Sequence, residues 1–334
     1  MTDPEKSLHN PKISVIMSVY NGEAHLTDSI ASILDQTFAN FEFIIVNDCS
    51  TDNSPEIIRS FRDDRIRVIN NEKNIGLTKS LNRALKVARA EYIARQDADD
   101  ISLPDRFKRQ LEYMEDHQEV ALLGTSIFVI GNDGEILEKR IAAPDPGKTL
   151  LRGNRFCHGS VMIRREVLDK TGLYNELFKY SQDYELWLRI SKHHKARNLT
   201  EPLYKLRFYS GSIGASRIVE QAMFVILAQK QAKNGLDAGT IDQIKNSEFE
   251  RIYQSFSRSE KVRFHNITAY NYVQNDDMKL AKQDYVTVFR LDPFCLENNL
   301  HIIASLAGKR GIWMVENLYR SFRHILYKII RLKI

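Results

Sequence analysis

Four times in succession, from Ile13 to the segment after Pro104, a short β-branched run gives way to a stretch with helical periodicity. That alternation constrains the fold more than any other feature. Ile13–Val19, Phe41–Asn47, Arg65–Asn70 and Tyr92–Arg95 read as strands. Stretches near Glu23–Gln36, Ser54–Arg62 and Leu77–Ala90 read as helices, and so does one begun by Pro104, since proline suits a first helical turn. Such alternation builds an α/β, doubly wound, mostly parallel sheet with helices on both faces. Sheets of that type bind ligands outside the carboxyl ends of their strands.

The strand ends are therefore candidate site residues. They read Ser18-Val19-Tyr20-Asn21, Asn47-Asp48, Asn70-Asn71-Glu72 and Asp97-Ala98-Asp99-Asp100, all polar and two of them acidic. Within YIARQDADDISLPDRF the acids crowd together, and like charges about 4 Å apart repel by roughly 4 kcal/mol at an effective dielectric near 20. Something cationic should offset that repulsion. Asp97 and Asp99 are two residues apart and point to one side of an extended segment. Their hard oxygens suit Mg²⁺ or Mn²⁺, with substrate phosphates and water completing the shell. The alternative is helix capping, with Ser102 or Asp100 at the start of the helix after Pro104. No Gly-x-x-x-x-Gly-Lys-Ser/Thr occurs, and no Gly-x-Gly-x-x-Gly follows the first strand, which argues against P-loop and dinucleotide-binding readings.

From about residue 120 the pattern changes. Val120–Ile130 is a long apolar strand, and the turn Gly131-Asn132-Asp133-Gly134 with Glu135–Arg140 suggests a hairpin. Cys157–Arg164 and Leu203–Tyr209 read as strands and Ser181–His193 as a helix. Beyond about 218 no strand is expected. Ala269, Tyr272, Leu280-Ala281, Tyr285 and Phe289 resemble the spacing of one tetratricopeptide-like helix pair, read as a hairpin packed on the catalytic domain, with a peptide-binding module as the alternative.

Composition narrows the class. With 43% hydrophobic and 27% charged residues, the chain reads as soluble and globular. Three scattered cysteines, Cys49, Cys157 and Cys295, give no disulfide framework and suit a reducing, cytoplasmic compartment. The start, MTDPEKSLHNPK, lacks the apolar core of a signal peptide. Residues 309–334 carry seven Lys or Arg against one Glu, so the net charge of +5 belongs to this tail. Its apolar residues recur at helical spacing, as in a basic amphipathic helix lying on an anionic membrane surface or docked on the protein itself. Nucleic acid is not expected as a partner, because no basic domain surface matches the tail.

Three stretches, PKISVIMSVYNGEAHLTDSIASILDQTFANFEFIIVNDCSTDNS, NIGLTKSLNRAL and EYIARQDADDISLPDRF, closely resemble glycosyltransferase family 2. The resemblance runs from about residue 11 to 210. It implies a glycosyltransferase A-type (GT-A) fold over 11–215, with a nucleotide-binding half (11–118) and an acceptor-binding half (119–215). An α-helical region (216–308) and the basic helix (309–334) follow. It also implies roles by position. Ser18, Val19, Tyr20 and Asp48 match the nucleobase set, with Asp48 accepting from a base N–H. Glu23 matches an assisting residue or sits in a first helical turn. Asn74, Gly76 and Lys79 match a stretch near the nucleotide, with Lys79 reaching phosphate or solvent. Asp97 and Ala98 match donor contacts, and Asp99 with Asp97 the metal site.

Family members usually carry Glu-Asp where this chain has Gln182-Asp183, so the first acid is replaced and the implied general base, Asp183, is retained. The alternative reading of Asp183 is a plain helix cap; Glu185 is the second candidate base. Trp187 reads as core packing rather than a sugar platform. His158 and Gln182 border the implied acceptor pocket. Relatives often carry Arg-x-His near the last strand; here the residues are Lys205-Leu206-Arg207, and Arg207 is expected to contact the diphosphate or acceptor.

The resemblance thus implies an inverting, Mn²⁺- or Mg²⁺-dependent transferase. It would move a sugar, from a UDP-sugar by expectation, to a glycan or lipid-linked acceptor at the cytoplasmic face of a bacterial inner membrane. The alternatives are a nucleotidyltransferase, whose Gly-rich loop is missing, and a non-catalytic glycan- or protein-binding scaffold, which Gln182 keeps open.

Overall fold

A computed structural model describes residues 10–208 and 217–293 of the 334-residue chain. The basic tail 309–334, Cys295 and the loop 211–214 lie outside the described residues. Two compact units account for the rest: residues 10–208 with 228–235, and residues 217–227 with 236–293.

The first unit holds β1 (Ile13–Val19), α1 (Leu26–Leu34), β2 (Phe41–Asn47), α2 (Ser54–Ser60), β3 (Ile66–Asn70), α3 (Leu77–Val87), β4 (Tyr92–Arg95) and β5 (Ile101–Ser102). It continues with α4 (Arg106–Asp116), β6 (Val120–Ile130), β7 (Ile136–Arg140), β8 (Met162–Arg164), α5 (Arg165–Thr171), α6 (Gln182–Ser191) and β9 (Lys195–Arg207). The strands form one sheet in the order β3-β2-β1-β4-β8-β6-β9-β5, and β7 pairs with the second half of β6. β3, β2, β1 and β4 are mutually parallel; β8 runs antiparallel between β4 and β6.

Strands sandwiched between helices are apolar on both faces, which is why β1 and β2 read as near-continuous apolar runs. On one face Val15, Met17, Phe43, Ile45 and Ala94 pack with Leu26, Ile30 and Ile33 of α1, Ile58 of α2 and Phe107, Leu111 and Met114 of α4. The polar exceptions are paired. Ser14 donates to Glu42 Oε1 (2.7 Å) across β1–β2, and its hydroxyl accepts from the Ala90 N–H (3.0 Å).

β1, β2, β4 and β6 have the limits that hydrophobic patterning predicts. Elsewhere the structure differs. Pro104 lies in a turn before α4 rather than in its first helical turn. The stretch Cys157–Arg164 is a strand only from Met162; His158–Ser160 form a 3₁₀ turn. β9 begins at Lys195, not Leu203. Its polar first half and Pro202 hide it, and Pro202 sits opposite Ser126 at a break in register, where its missing N–H interrupts no regular ladder. β5 and α5 carry too few periodic residues to be seen in the sequence.

The second unit is helical among its described residues. It contains the first part of α7 (Ile218–Asn234), then α8 (Ala238–Lys245), α9 (Phe249–Ser255), α10 (Arg258–Gln274) and α11 (Met278–Leu291). α10 starts with a capping box: the Glu260 N–H donates to Ser257 Oγ and the Ser257 N–H to Glu260 Oε2. α10 and α11 pack through Ala269, Val273, Ala281 and Tyr285. Phe289, expected in that seam, is 45% exposed. No helix among the described residues is long and apolar enough to cross a membrane.

Candidate active site

The carboxyl ends of β1, β2 and β4 converge. At the end of β1 the chain turns through Asn21 (φ 51°) and Gly22, leaving Tyr20 53% exposed. A Cβ on Gly22 would stand 3.7 Å from the Ala98 Cβ, so this turn lies against the acidic loop after β4. The turns after β1 and β2 are stitched together. The Gly22 N–H donates to Ser54 Oγ, the Glu23 N–H to Asp52 Oδ2 and the Asn53 N–H to Glu23 Oε2, each at 2.9 Å. Glu23 precedes α1 and ties two loops together, so the first-turn reading of this residue is corrected.

Asp48 is 1% exposed. Its Oδ1 accepts from Asn71 Nδ2 (2.6 Å) and the Ile75 N–H (2.9 Å), and its Oδ2 from the Gly76 N–H (2.8 Å). A carboxylate has about four lone-pair sites, and these three donors take most of them. Asp48 thus fixes the loop 71–76, where Gly76 (φ 86°) opens α3 in a conformation that disfavours side chains. Asn74 and Lys79 are exposed near this loop.

The acidic loop rests on a buried cation that the sequence reading did not name. Arg95, 1% exposed, donates from Nη2 to Asp97 Oδ1 at 2.6 Å and from Nη1 to the Gln96 carbonyl. Burial, the largest influence, pulls the guanidinium pKa down, but Asp97, Tyr174, Tyr204 and Asp100 together outweigh it and hold Arg95 above its usual value. The Asp97 N–H donates to Tyr204 Oη (3.2 Å), and the Asp97 carbonyl accepts from Ser29 Oγ (2.7 Å). Gly159 sits over this pair: a Cβ there would lie 2.8 Å from Asp97 Oδ2 and 1.9 Å from Tyr204 Oη. Beneath lies Arg106, fully buried and pulled down to about 10 by that burial; it donates to Gln96 Oε1, Ser102 Oγ and the Arg95 carbonyl.

Asp100 does not cap α4. It is 1% exposed, and its Oδ1 accepts from the Arg207 N–H (2.7 Å). Burial first, then Asp99 and Asp97, push its pKa well above the ordinary carboxylate range. Ser102 donates instead to Gln96 Oε1 (2.7 Å), and Asp105 Oδ1 accepts from Thr37 Oγ1 (2.8 Å). Arg207 is likewise corrected. The residue is 5% exposed and its guanidinium donates to the carbonyls of Asp99 (2.9 Å), Gly131 (3.0 Å) and Asn132 (2.6 Å), so it braces the loop rather than facing a diphosphate.

Asp183 lies in the first turn of α6, behind a left-handed Ser181 (φ 53°), and no side chain caps this helix at Ser181. The Asp183 carboxylate turns instead to Asn154, accepting from Nδ2 at 2.7 Å, so the plain-cap reading is not the arrangement found. Gln182 beside it is 6% exposed. Glu185 is removed as a candidate base. It is 3% exposed and held by Arg189 through Nε–Oε1 (3.0 Å) and Nη2–Oε2 (2.8 Å). Trp187 is fully buried, edge-on to Phe156, His158 and Tyr174. His158 Nε2 meets Tyr174 Oη at 2.8 Å. Burial, then Arg95, lower its pKa to about 4, and the fields of both Asp183 and Asp97 reach it.

Sequence reasoning missed Arg95, Tyr204, Tyr174 and Asn154. Only Arg95 left a signal, as an arginine closing an apolar strand immediately before clustered acids. Among the described residues no three His, Cys, Asp or Glu gather into a self-sufficient metal site. Asp97 and Asp99, both partly exposed, are hard oxygen donors of the kind that suit a cation whose remaining ligands are phosphate oxygens and water.

Residues 14–172 match the model of the family described as "Glycosyl transferase family 2". "Putative glycosyltransferase EpsE" of Bacillus subtilis (strain 168) is 38% identical over 59% of this chain and 73% of its own length. The Escherichia coli UDP-Glc:alpha-D-GlcNAc-diphosphoundecaprenol beta-1,3-glucosyltransferase WfaP is 33% identical over 62% of this chain and 82% of its own. The crystal structure of S. aureus TarS 1–349 in complex with UDP-GlcNAc covers 93% of this chain and 92% of its own, at a TM-score of 0.56 and 21% identity, a likeness of fold. The chain therefore belongs to glycosyl transferase family 2, and it is a glycosyltransferase with a GT-A fold.

Proposed function

We propose that the protein is an inverting transferase that moves a sugar from a UDP-sugar to a hydroxyl of a glycan or lipid-linked acceptor in surface-polysaccharide assembly. The observation that carries this is Asp183, a first-turn carboxylate bonded to Asn154 on the loop that leads to Gly159, which in turn lies against Asp97. The WfaP relative, with a UDP-sugar donor and a diphosphoundecaprenol acceptor in its name, supports the donor and acceptor classes.

Residues 11–215 form the catalytic domain in this reading. Tyr20 offers an exposed ring for a base to stack on, and Asp48 accepts a base N–H. Asp97 and Asp99 would hold a divalent cation, Mn²⁺ or Mg²⁺, which would supply positive charge to the leaving diphosphate. Arg95 keeps Asp97 Oδ1, so Oδ2 faces the donor. Asp183 takes the proton of the acceptor hydroxyl as that oxygen bonds to the anomeric carbon. The bond from carbon to diphosphate oxygen breaks on the opposite side, its electron pair leaving with the nucleoside diphosphate, so the configuration inverts. His158 stays neutral beside this path. The basic tail 309–334 brings the enzyme to an anionic membrane surface.

The test is UDP release from a panel of UDP-sugars with Mn²⁺, comparing wild type with Asp183→Asn and Asp99→Ala. General-base assistance is worth about 10²–10⁴-fold, so turnover should fall by that much in Asp183→Asn. Wild-type turnover in that variant would remove Asp183 from the role.

A further inference from the structure

We infer that Asn154 is a positioning residue for Asp183: it holds Oδ2 and leaves Oδ1 to meet the acceptor hydroxyl. The inference rests on the reading of Asp183 as the base. Asn154 lies in the loop before the His158–Ser160 turn, and its side-chain amide is engaged on both sides. Nδ2 donates to Asp183 Oδ2 at 2.7 Å, while Oδ1 accepts from the Phe156 N–H at 3.1 Å. The second bond sets the amide orientation, because only the nitrogen can then face the carboxylate.

The loop carrying Asn154 is itself anchored. Asn198 Nδ2 donates to the Arg155 carbonyl (3.2 Å). Phe156, 7% exposed, packs edge-on against Trp187, one helical turn after Asp183, with ring centroids 6.2 Å apart. Gly124 leaves room for that ring, since a Cβ there would stand 2.8 Å from Phe156 Cδ1. The amide is thus carried on a pinned loop and does not follow the carboxylate. A short hydrogen bond from a fixed neutral donor orients an anion without neutralising it. Such support from a rigid shell keeps a reacting group in productive geometry.

Two roles can be separated, because Asn154→Asp keeps the acceptor for Phe156 N–H and replaces only the donor toward Asp183. If Asn154 merely shapes its loop, Asn154→Ala loses stability while the kcat of its folded fraction stays at the wild-type value. If it positions Asp183, Asn154→Asp is the worse of the two, since two carboxylates then face each other. The readout is turnover of whichever UDP-, GDP- or dTDP-sugar the wild type hydrolyses with Mn²⁺, water standing in for the acceptor. Asn154→Ala should lose about 10–100-fold in kcat, as expected for losing a hydrogen bond to a charged group, with donor KM unchanged. Asn154→Asp should lose more. A denaturation cycle reads the same contact without activity: the double variant N154D/D183N restores a donor–acceptor pair and should recover stability lost in N154D while remaining inactive. Wild-type kcat in Asn154→Asp, or no recovery in the double variant, overturns the inference. Wild-type turnover in Asp183→Asn overturns the reading beneath it instead.

Discussion

Replacing Gly159 by alanine would put a methyl group 1.9 Å from Tyr204 Oη, 2.5 Å from Tyr204 Cζ and 2.8 Å from Asp97 Oδ2. None of these atoms has an easy retreat. Tyr204 is fully buried beside Ile127 and Val129, with the Arg106 guanidinium 5.2 Å from its ring centre. Asp97 is tied to Arg95 through its other oxygen. Forcing extra volume into such a site costs about 1–3 kcal/mol. For a unit of this size each kcal/mol shifts Tm by about 2–4 °C, so Gly159→Ala should melt about 2–12 °C lower. Turnover should suffer beyond stability, since Tyr204 Oη accepts the Asp97 N–H; a displacement near 1 Å costs about 100-fold. Differential scanning fluorimetry and UDP-release kinetics at a temperature where the variant is folded read the two effects separately. In a Tyr204→Leu background the clashing hydroxyl and Cζ are gone, and the same alanine should cost less than it does in wild type. Gly159→Ala with wild-type Tm and wild-type turnover would refute the close packing of Gly159 on Asp97 and Tyr204.

Three further outcomes follow from the same contacts. Glu185→Gln removes the charge from a pair buried at its carboxylate end and half-buried at Arg189, so chemical denaturation should show a loss of about 1.5–3 kcal/mol, while turnover of the folded fraction stays within the wild-type range. His158 has a depressed folded pKa of about 4 against about 6.5 unfolded, so the unfolded chain binds the extra proton between those values and stability falls as pH drops through that window. Denaturation from pH 7 to 4 should show this slope in wild type and a shallower one in His158→Gln; equal slopes would refute the burial of a neutral ring. Vesicles containing anionic lipid should float the full chain and leave a chain lacking residues 309–334 behind; equal flotation removes the tail as the membrane contact.

How much of this was legible depended on the range of the interactions. The parallel strands were legible because burial on both faces forces local apolar runs, as in Ile13–Val19 and Phe41–Asn47. The acids after β4 were legible because a ligand site at a strand end keeps its residues close in sequence. The charged partners were not. Arg207 looked like a free cation near a phosphate site, yet it braces carbonyls 75 to 108 positions away. Glu185 looked like a spare base four residues before Arg189, and only folding showed its carboxylate to be buried and held by that arginine.

The sequence by itself determined the strand–helix alternation from β1 to β4, the strand ends at which ligands gather, and the family, since each is written in short-range pattern. Tertiary structure decided which charged groups remain available for chemistry. Asp97 keeps one oxygen because Arg95 takes the other. Asp100 is buried on the Arg207 backbone, and Asp183 faces Asn154 across a loop 29 positions earlier. The question raised by the crowded acids, what cation offsets their repulsion, has a first answer inside the protein. An arginine at the end of β4 is folded beneath them, because a buried guanidinium needs an anion and carbonyls around it, and this loop provides both.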